Sequence, residues 1–236
     1  MSGQAFSAGA VAPTPLGARA AGPGAGRAVG VAALCLIGLA AVWALADLVP
    51  GAQLRDALTL HDFTLLSRPH VDSVANLLIE LLEPVVFVIW GALLVAVALA
   101  RGRPRVALAV VLVMALAPLT AEILKPLLAH PHPRFGTVHI APASWPSGHS
   151  TAALTLVLCA VLVAPTRLRA PVLALGLVYA LAVGCSLLIL AWHMPSDVLA
   201  GYLVAALWVA IAVAALRFAD RRWPSGGRRL AVARED

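Results

Sequence analysis

The sequence predicts an all-α fold: a polytopic membrane protein, a bundle of six transmembrane helices with its active site at the extracytoplasmic rim. Three observations carry that prediction. Of 236 residues, 61% are hydrophobic and only 12% are charged, where a soluble domain carries about 25% charge. The apolar residues collect into long runs, as helices immersed in hydrocarbon require. The basic residues, finally, fall unevenly between the connectors.

Residues 1–27 are rich in Ala, Gly and Pro without apolar periodicity, and read as a disordered cytoplasmic tail. Residues 28–217 form the membrane domain, with spans at 29–49, 74–100, 106–128, 149–164, 171–191 and 196–216. The first run ends in the cleavage-like Ala44-Leu45-Ala46. It is longer than the roughly 7–15 residues of a signal-peptide core, so an uncleaved anchor is expected. The connector 50–73 places Leu54, Ala57, Leu58 and Leu65 roughly on one helical face, with Arg55, Asp56 and Asp62 off it. That pattern fits a short helix on the outer membrane surface, or a plain connector.

The second span carries Asn76, Glu80 and Glu83 near its outer half. An ionisable residue at mid-span costs about 2.5–3.5 kcal/mol on the insertion scale, so these carboxylates should face the bundle interior or reach the rim. The short connectors 101–105 and 165–169 force hairpins between neighbouring helices. Glu122 precedes Lys125 by three residues, a spacing that places both on one helical face. Residues 129–148 form the largest outer connector between spans and carry His130, His132, Arg134 and His139. Cys35, Cys159 and Cys185 all lie inside apolar runs and read as small packing residues rather than disulfides or metal ligands. Residues 218–236 form a basic cytoplasmic tail, solvated or apposed to anionic lipid.

With the N-terminus in the cytoplasm, the inner segments hold 13 of the 17 basic residues and the outer segments hold Arg55, Arg68, Lys125 and Arg134. This is the positive-inside asymmetry. The net charge of +6 is thereby a topology signal, and no nucleic-acid partner is needed to explain it. Both termini are expected in the cytoplasm. Arginine usage and short connectors suggest a bacterial inner membrane. The sequence is compatible with a homo-oligomer without specifying one.

Three features on the outer rim carry chemistry. Pro146-Ser147-Gly148-His149 opens the fourth span. Proline favours a helix start, a glycine lets an anion approach the backbone, and the free N–H groups of a helix start attract it. His149 would then stand beside that anion as a proton donor. Taken alone, the motif also reads as a helix cap with an incidental histidine. His193 precedes Asp197 by four residues. A carboxylate on one imidazole nitrogen fixes the tautomer and frees the other as base or nucleophile; a satisfied rim pair has the same spacing. Pro195 between them places the pair at a turn entering the last span. Lys125 is the single lysine in a chain with 16 arginines, and offers a cationic anchor for phosphate or a lysine snorkelling from a helix end.

Together these residues resemble the type-2 phosphatidic acid phosphatase superfamily, the membrane lipid phosphate phosphatases related to vanadium haloperoxidases. The resemblance covers about residues 120–202 by motif, and the whole chain by its six-span layout. The family pattern is Lys with Arg-Pro seven residues on, then Pro-Ser-Gly-His, then Ser-Arg with His and Asp following. The resemblance implies His193 as the nucleophile, Asp197 as its orienter and His149 as the general acid. Lys125, Ser147 and Gly148 would hold the phosphate oxygens, without a metal or other cofactor. The chain departs from the pattern at His132, where the family has Arg, and at Leu187, where the Ser-Arg pair has its Arg. Arg134 is placed to replace the first lost cation, and a protonated His130 or His132 could also supply positive charge; no cation between Leu187 and Trp192 replaces the second. Loss of a charge-assisted clamp costs on the order of 3 kcal/mol, about a hundredfold in rate.

The function expected is hydrolysis of a phosphomonoester or pyrophosphate on a lipid (an isoprenyl pyrophosphate, a phosphatidate or phosphatidylglycerophosphate) through a phosphohistidine. The alternative is a catalytically weak lipid-phosphate binder or carrier on the same scaffold, motivated by the missing arginines. A vanadate-dependent enzyme fits less well, because the soluble relatives carry no such spans. His130, His132, His139, His149, His193 and Asp197 also offer enough ligands for zinc, but at loose spacing.

Overall fold

A computed structural model of the chain describes residues 23–129 and 140–223. The architecture is all-α, with no strand among the described residues. In chain order the helices are α1 (Pro23–Leu48), α2 (Pro50–Thr64), α3 (Pro69–Glu80), α4 (Pro84–Ala100), α5 (Pro104–Leu127), α6 (Gly148–Val163), α7 (Arg169–Ile189) and α8 (Pro195–Arg222), with one 3-10 turn at Thr166–Leu168 before α7. Six of the eight helices begin with proline. There its missing N–H costs nothing, because the first-turn amides have no intrahelical partner.

Helices α1, α5, α7 (with its preceding 3-10 turn) and α8 are long and apolar enough to cross a membrane. The chain is a multi-pass membrane protein. The expected span 74–100 is divided instead. Helix α3 ends at Glu80, α4 begins at Pro84, and the two meet at 54°. Pro84 contributes to the break: it supplies no N–H and its ring clashes with the preceding turn, which kinks or interrupts a helix, although α5 runs on through Pro118 and Pro126. The Trp90 indole donates to the Leu81 carbonyl at 3.2 Å, satisfying one acceptor freed by the break. Counting the bent pair as one span gives five. The expected fourth span, α6, has only 16 residues. Its length of about 24 Å falls short of the roughly 30 Å hydrocarbon core.

Helix α6 is the hub. It packs on α4, α5, α7 and α8, while α1 lies along α8 and α3 along α7. Its small polar residues Ser150, Thr151 and Thr155 are buried among Ala152, Ala153, Val157 and Cys159. Large aliphatic side chains such as Leu34, Val85, Ile89, Leu175 and Val178 point outward instead, as lipid solvation allows. Of the cysteines, Cys35 and Cys159 are buried as expected, but Cys185 is exposed on the outer surface of α7.

The boundaries of the expected tails shift. Helix α1 already begins at Pro23 and α8 runs on to Arg222; the rest of both tails lies outside the described residues. The connector 50–73 does contain a helix, α2, but its buried residues are Ala57 and Leu60. Leu54, Leu58 and Leu65 are exposed. The reason is docking. Helix α2 packs on α1, α7 and α8, and the face it turns to α8 includes Asp56, whose carboxylate accepts from the Ser196 amide at 3.0 Å and hydroxyl at 2.6 Å.

Candidate active site

The site forms where the end of α5, the start of α6 and the start of α8 meet. Each start is shaped by local sequence. Ser147 is the N-cap of α6, and its side chain accepts the Ser150 amide at 3.4 Å. Pro146 therefore stands one residue before the cap, not at the first helical position. The Ser147 amide donates to the Asp197 carbonyl at 3.0 Å, tying the start of α6 to the start of α8.

Helix α7 ends in a Schellman turn. The Trp192 amide donates to the Leu187 carbonyl at 2.9 Å and the Ala191 amide to the Leu188 carbonyl at 3.0 Å, with Ala191 left-handed at φ 54°. This reversal returns the chain at once toward α8. Pro195 occupies the first turn of α8, Met194 is its N-cap, and Asp197 is the third helical residue. The Asp197 Oδ2 accepts the Met194 amide at 3.0 Å and lies 3.3 Å from His193 Nδ1. The four-residue spacing thus works through a capping arrangement. His193 lies outside the helix, one residue before its N-cap.

Asp197 is fully buried and His193 nearly so. With Asp197 ionised, His193 Nδ1–H donates to the carboxylate and Nε2 keeps its lone pair. His149, in the first turn of α6, meets Trp192 edge-on with ring centroids 5.8 Å apart. His193, Lys125, Glu83 and Glu122 are all close enough to act on His149 electrostatically. The structure therefore brings His149, His193, Asp197, Ser147, Gly148 and Lys125 to one end of the bundle.

Lys125 lies in the last turn of α5, where its Nζ donates to Glu122 Oε1 at 2.6 Å. The same carboxylate oxygen lies 2.8 Å from where a Cβ on Gly148 would stand, and Lys125 Nζ lies 3.5 Å from that point. A side chain at position 148 would fill the space now shared by an anion and its cation. Ser147, by contrast, is fully buried, and its oxygen already serves as the cap.

Arg134 and His132 lie outside the described residues. Leu187 is fully buried in the hydrophobic core of the bundle. Among the described residues no three His, Cys, Asp or Glu side chains converge as a metal site would require. Sequence reasoning missed three contributors. Asp56 gave no signal, because its partner Ser196 lies 140 residues away. Trp192, adjacent to His193, was available as a neighbour. Gly201 lies where a Cβ would overlap the Ser150 hydroxyl and stand 2.6 Å from the Ser147 carbonyl oxygen, so α6 and α8 touch there backbone to backbone.

Fold and site together define a class: an all-helical membrane protein with two histidines, one held by a buried carboxylate, beside a lysine and a glycine-opened helix start. The sequence model of the PAP2 superfamily matches residues 106–221. This segment, which carries nearly all of α5 to α8, is similar to that superfamily. Among solved structures the chain is similar to the crystal structure of the first transmembrane PAP2 type phosphatidylglycerolphosphate phosphatase from Bacillus subtilis. The match has a TM-score of 0.63 and 24% identity, and covers 83% of this chain and 96% of that one. No curated protein matches the chain.

Proposed function

We propose that the protein is a lipid phosphatase acting on a phosphomonoester or pyrophosphate through a phosphohistidine intermediate. One observation carries the reading: the buried Asp197 carboxylate lies on His193 Nδ1, which leaves Nε2 as the nucleophile. Nε2 attacks phosphorus as the bond from phosphorus to the leaving lipid oxygen breaks. His149 donates its proton to that oxygen. Water then attacks the phosphohistidine, with His149 taking up a proton as base, and phosphate leaves. Lys125 Nζ and the amides at the start of α6 hold the phosphate oxygens, and substrate phosphate displaces the Glu122 carboxylate from beside Gly148. Phosphoryl transfer asks mainly for such positioning and charge compensation.

The superfamily match supports a phosphatase, and the similar Bacillus subtilis protein adds weight to phosphatidylglycerophosphate among the substrates, beside phosphatidate and isoprenyl pyrophosphate. In this reading six segments cross the membrane, with α6 flanked by loop in its crossing. Both termini then face the cytoplasm and the histidines face the extracytoplasmic side. Chemistry runs without a metal. A second reading, a weak binder or carrier, is favoured by one observation: Leu187 is sealed in the core where the family pattern has an arginine.

The deciding experiment is phosphate release by purified protein with chelator present, over a panel of these lipids, beside His193→Ala. Turnover that disappears in the variant supports the histidine phosphatase. Absence of turnover on every lipid by folded protein leaves the binder. Chelator-sensitive turnover overturns the metal-free mechanism.

A further inference from the structure

The opposite end of the bundle holds a cavity of about 710 Å³, framed by the start of α5, the end of α6, the start of α7 and the end of α8. Four guanidiniums line it (Arg103, Arg105, Arg169 and Arg217) against the single carboxylate of Asp220. Three are held by the fold. Arg103 donates to the Leu162 and Val163 carbonyls at 3.0 and 3.3 Å, and Arg169 Nε to the Ala164 carbonyl at 3.4 Å. Arg105 bridges Asp220 at 2.9 Å and donates to the Trp223 carbonyl at 2.7 Å. Each guanidinium has five N–H groups, so most remain for an anion. Burial first, then the charges of Arg169 and Arg101, lowers the Arg103 pKa from the usual guanidinium range, with Asp220 opposing the shift.

An apolar groove of about 380 Å³ adjoins this cavity and shares Arg105 and Leu216 with it. It runs between α5 and α8 past Leu108, Leu112, Ile211 and Ala215, from Trp223 to Trp208. From residue 105 to residue 116 helix α5 rises about 16 Å, close to one leaflet of a hydrocarbon core about 30 Å thick. A basic cavity that opens into an apolar groove one leaflet long has the shape and polarity of a phospholipid.

We propose that this end of the bundle is a binding site for an anionic phospholipid, with its phosphodiester among Arg103, Arg105, Arg169 and Arg217 and an acyl chain in the groove between α5 and α8. The site is separate from the histidines, and the lipid is a ligand rather than a substrate. General attraction of juxtamembrane arginines to anionic lipid needs neither cavity nor groove, and that difference makes the proposal testable.

The test is native mass spectrometry of the full chain released from detergent with dioleoyl phosphatidylserine or dioleoyl phosphatidylcholine. Phosphatidylserine has no terminal phosphate ester, so the outcome is independent of the phosphatase reading. Wild type is expected to retain phosphatidylserine in preference to phosphatidylcholine. Arg169→Gln with Arg217→Gln should weaken retention about thirtyfold at low salt, at about fivefold per charge. Arg221→Gln with Arg222→Gln, a pair outside the cavity lining, should change it little. Ala215→Trp, which fills the groove and leaves every charge in place, should also reduce retention; it decides the matter if the arginine variant fails to fold. Equal loss in both arginine pairs, or no preference over phosphatidylcholine, overturns the site. Displacement of phosphatidylserine by inorganic phosphate, with Ala215→Trp silent, replaces it with a free-anion site.

Discussion

His193 and His149 occupy different environments, and that difference assigns their proposed roles. His193 is buried and paired at Nδ1 with Asp197, which suits a nucleophile. His149 lies against the exposed Trp192 and near Lys125 and Glu122, which suits a group that exchanges protons. His149→Ala is expected to lower kcat roughly 10²–10⁴-fold, with the smallest loss on substrates whose leaving oxygen is a weak base; steady-state rates over a leaving-group series check this. Leu187 carries the opposite lesson. Because its side chain is fully buried, Leu187→Arg forces a guanidinium into the core, a change expected to cost about 3 kcal/mol or more. A thermal unfolding scan should show the lower melting temperature, and phosphate release should not rise.

At the scale of elements, helix starts do most of the positioning. The Asp197 carboxylate both accepts the amide of Met194, the N-cap of α8, and pairs with His193, so the turn that begins the helix also sets the imidazole. Asp56 extends this outward: from α2 it holds Ser196, next to Asp197, through two hydrogen bonds. Hydrogen bonds to a charged group contribute about 1.5–3 kcal/mol each. Asp56→Ala is expected to lower kcat for phosphate release more than it raises KM, since it loosens the turn that carries His193 without touching Lys125. Asp56→Asn, which keeps an acceptor for Ser196, should recover much of the loss.

At the scale of the whole molecule, the site depends on two helices approaching closely. Helix α6 supplies His149 and α8 follows directly from His193, and they meet where Gly201 faces Ser147 and Ser150. Close-packed interiors do not absorb added volume without backbone shifts. Gly201→Val is expected to destabilise the protein by about 1–3 kcal/mol and to reduce phosphate release even at temperatures where the variant stays folded, because the histidines move apart. Comparing circular dichroism melts with activity below the melting temperature separates the two effects. The bundle also keeps its chemistries apart, with the histidines and Lys125 at one end of α5 to α8 and the arginine cavity at the other.

Composition and long apolar runs were enough to read an all-helical membrane protein, because hydrocarbon leaves a chain no other local way to satisfy its backbone. The motif residues His149, His193, Asp197, Gly148 and Lys125 were also readable, since their chemistry is local: a helix start, a cap, a helix end. Tertiary structure alone decided the docking face of α2, the burial of Leu187 and the contacts of Asp56 and Gly201, whereas the break at Pro84 has a local cause that the long apolar run 74–100 masked. The division has a physical reason. Residue type and short spacing set what a segment can do, whereas a contact such as Asp56 to Ser196, 140 residues apart, exists only after the helices have packed and leaves no periodic trace in the sequence.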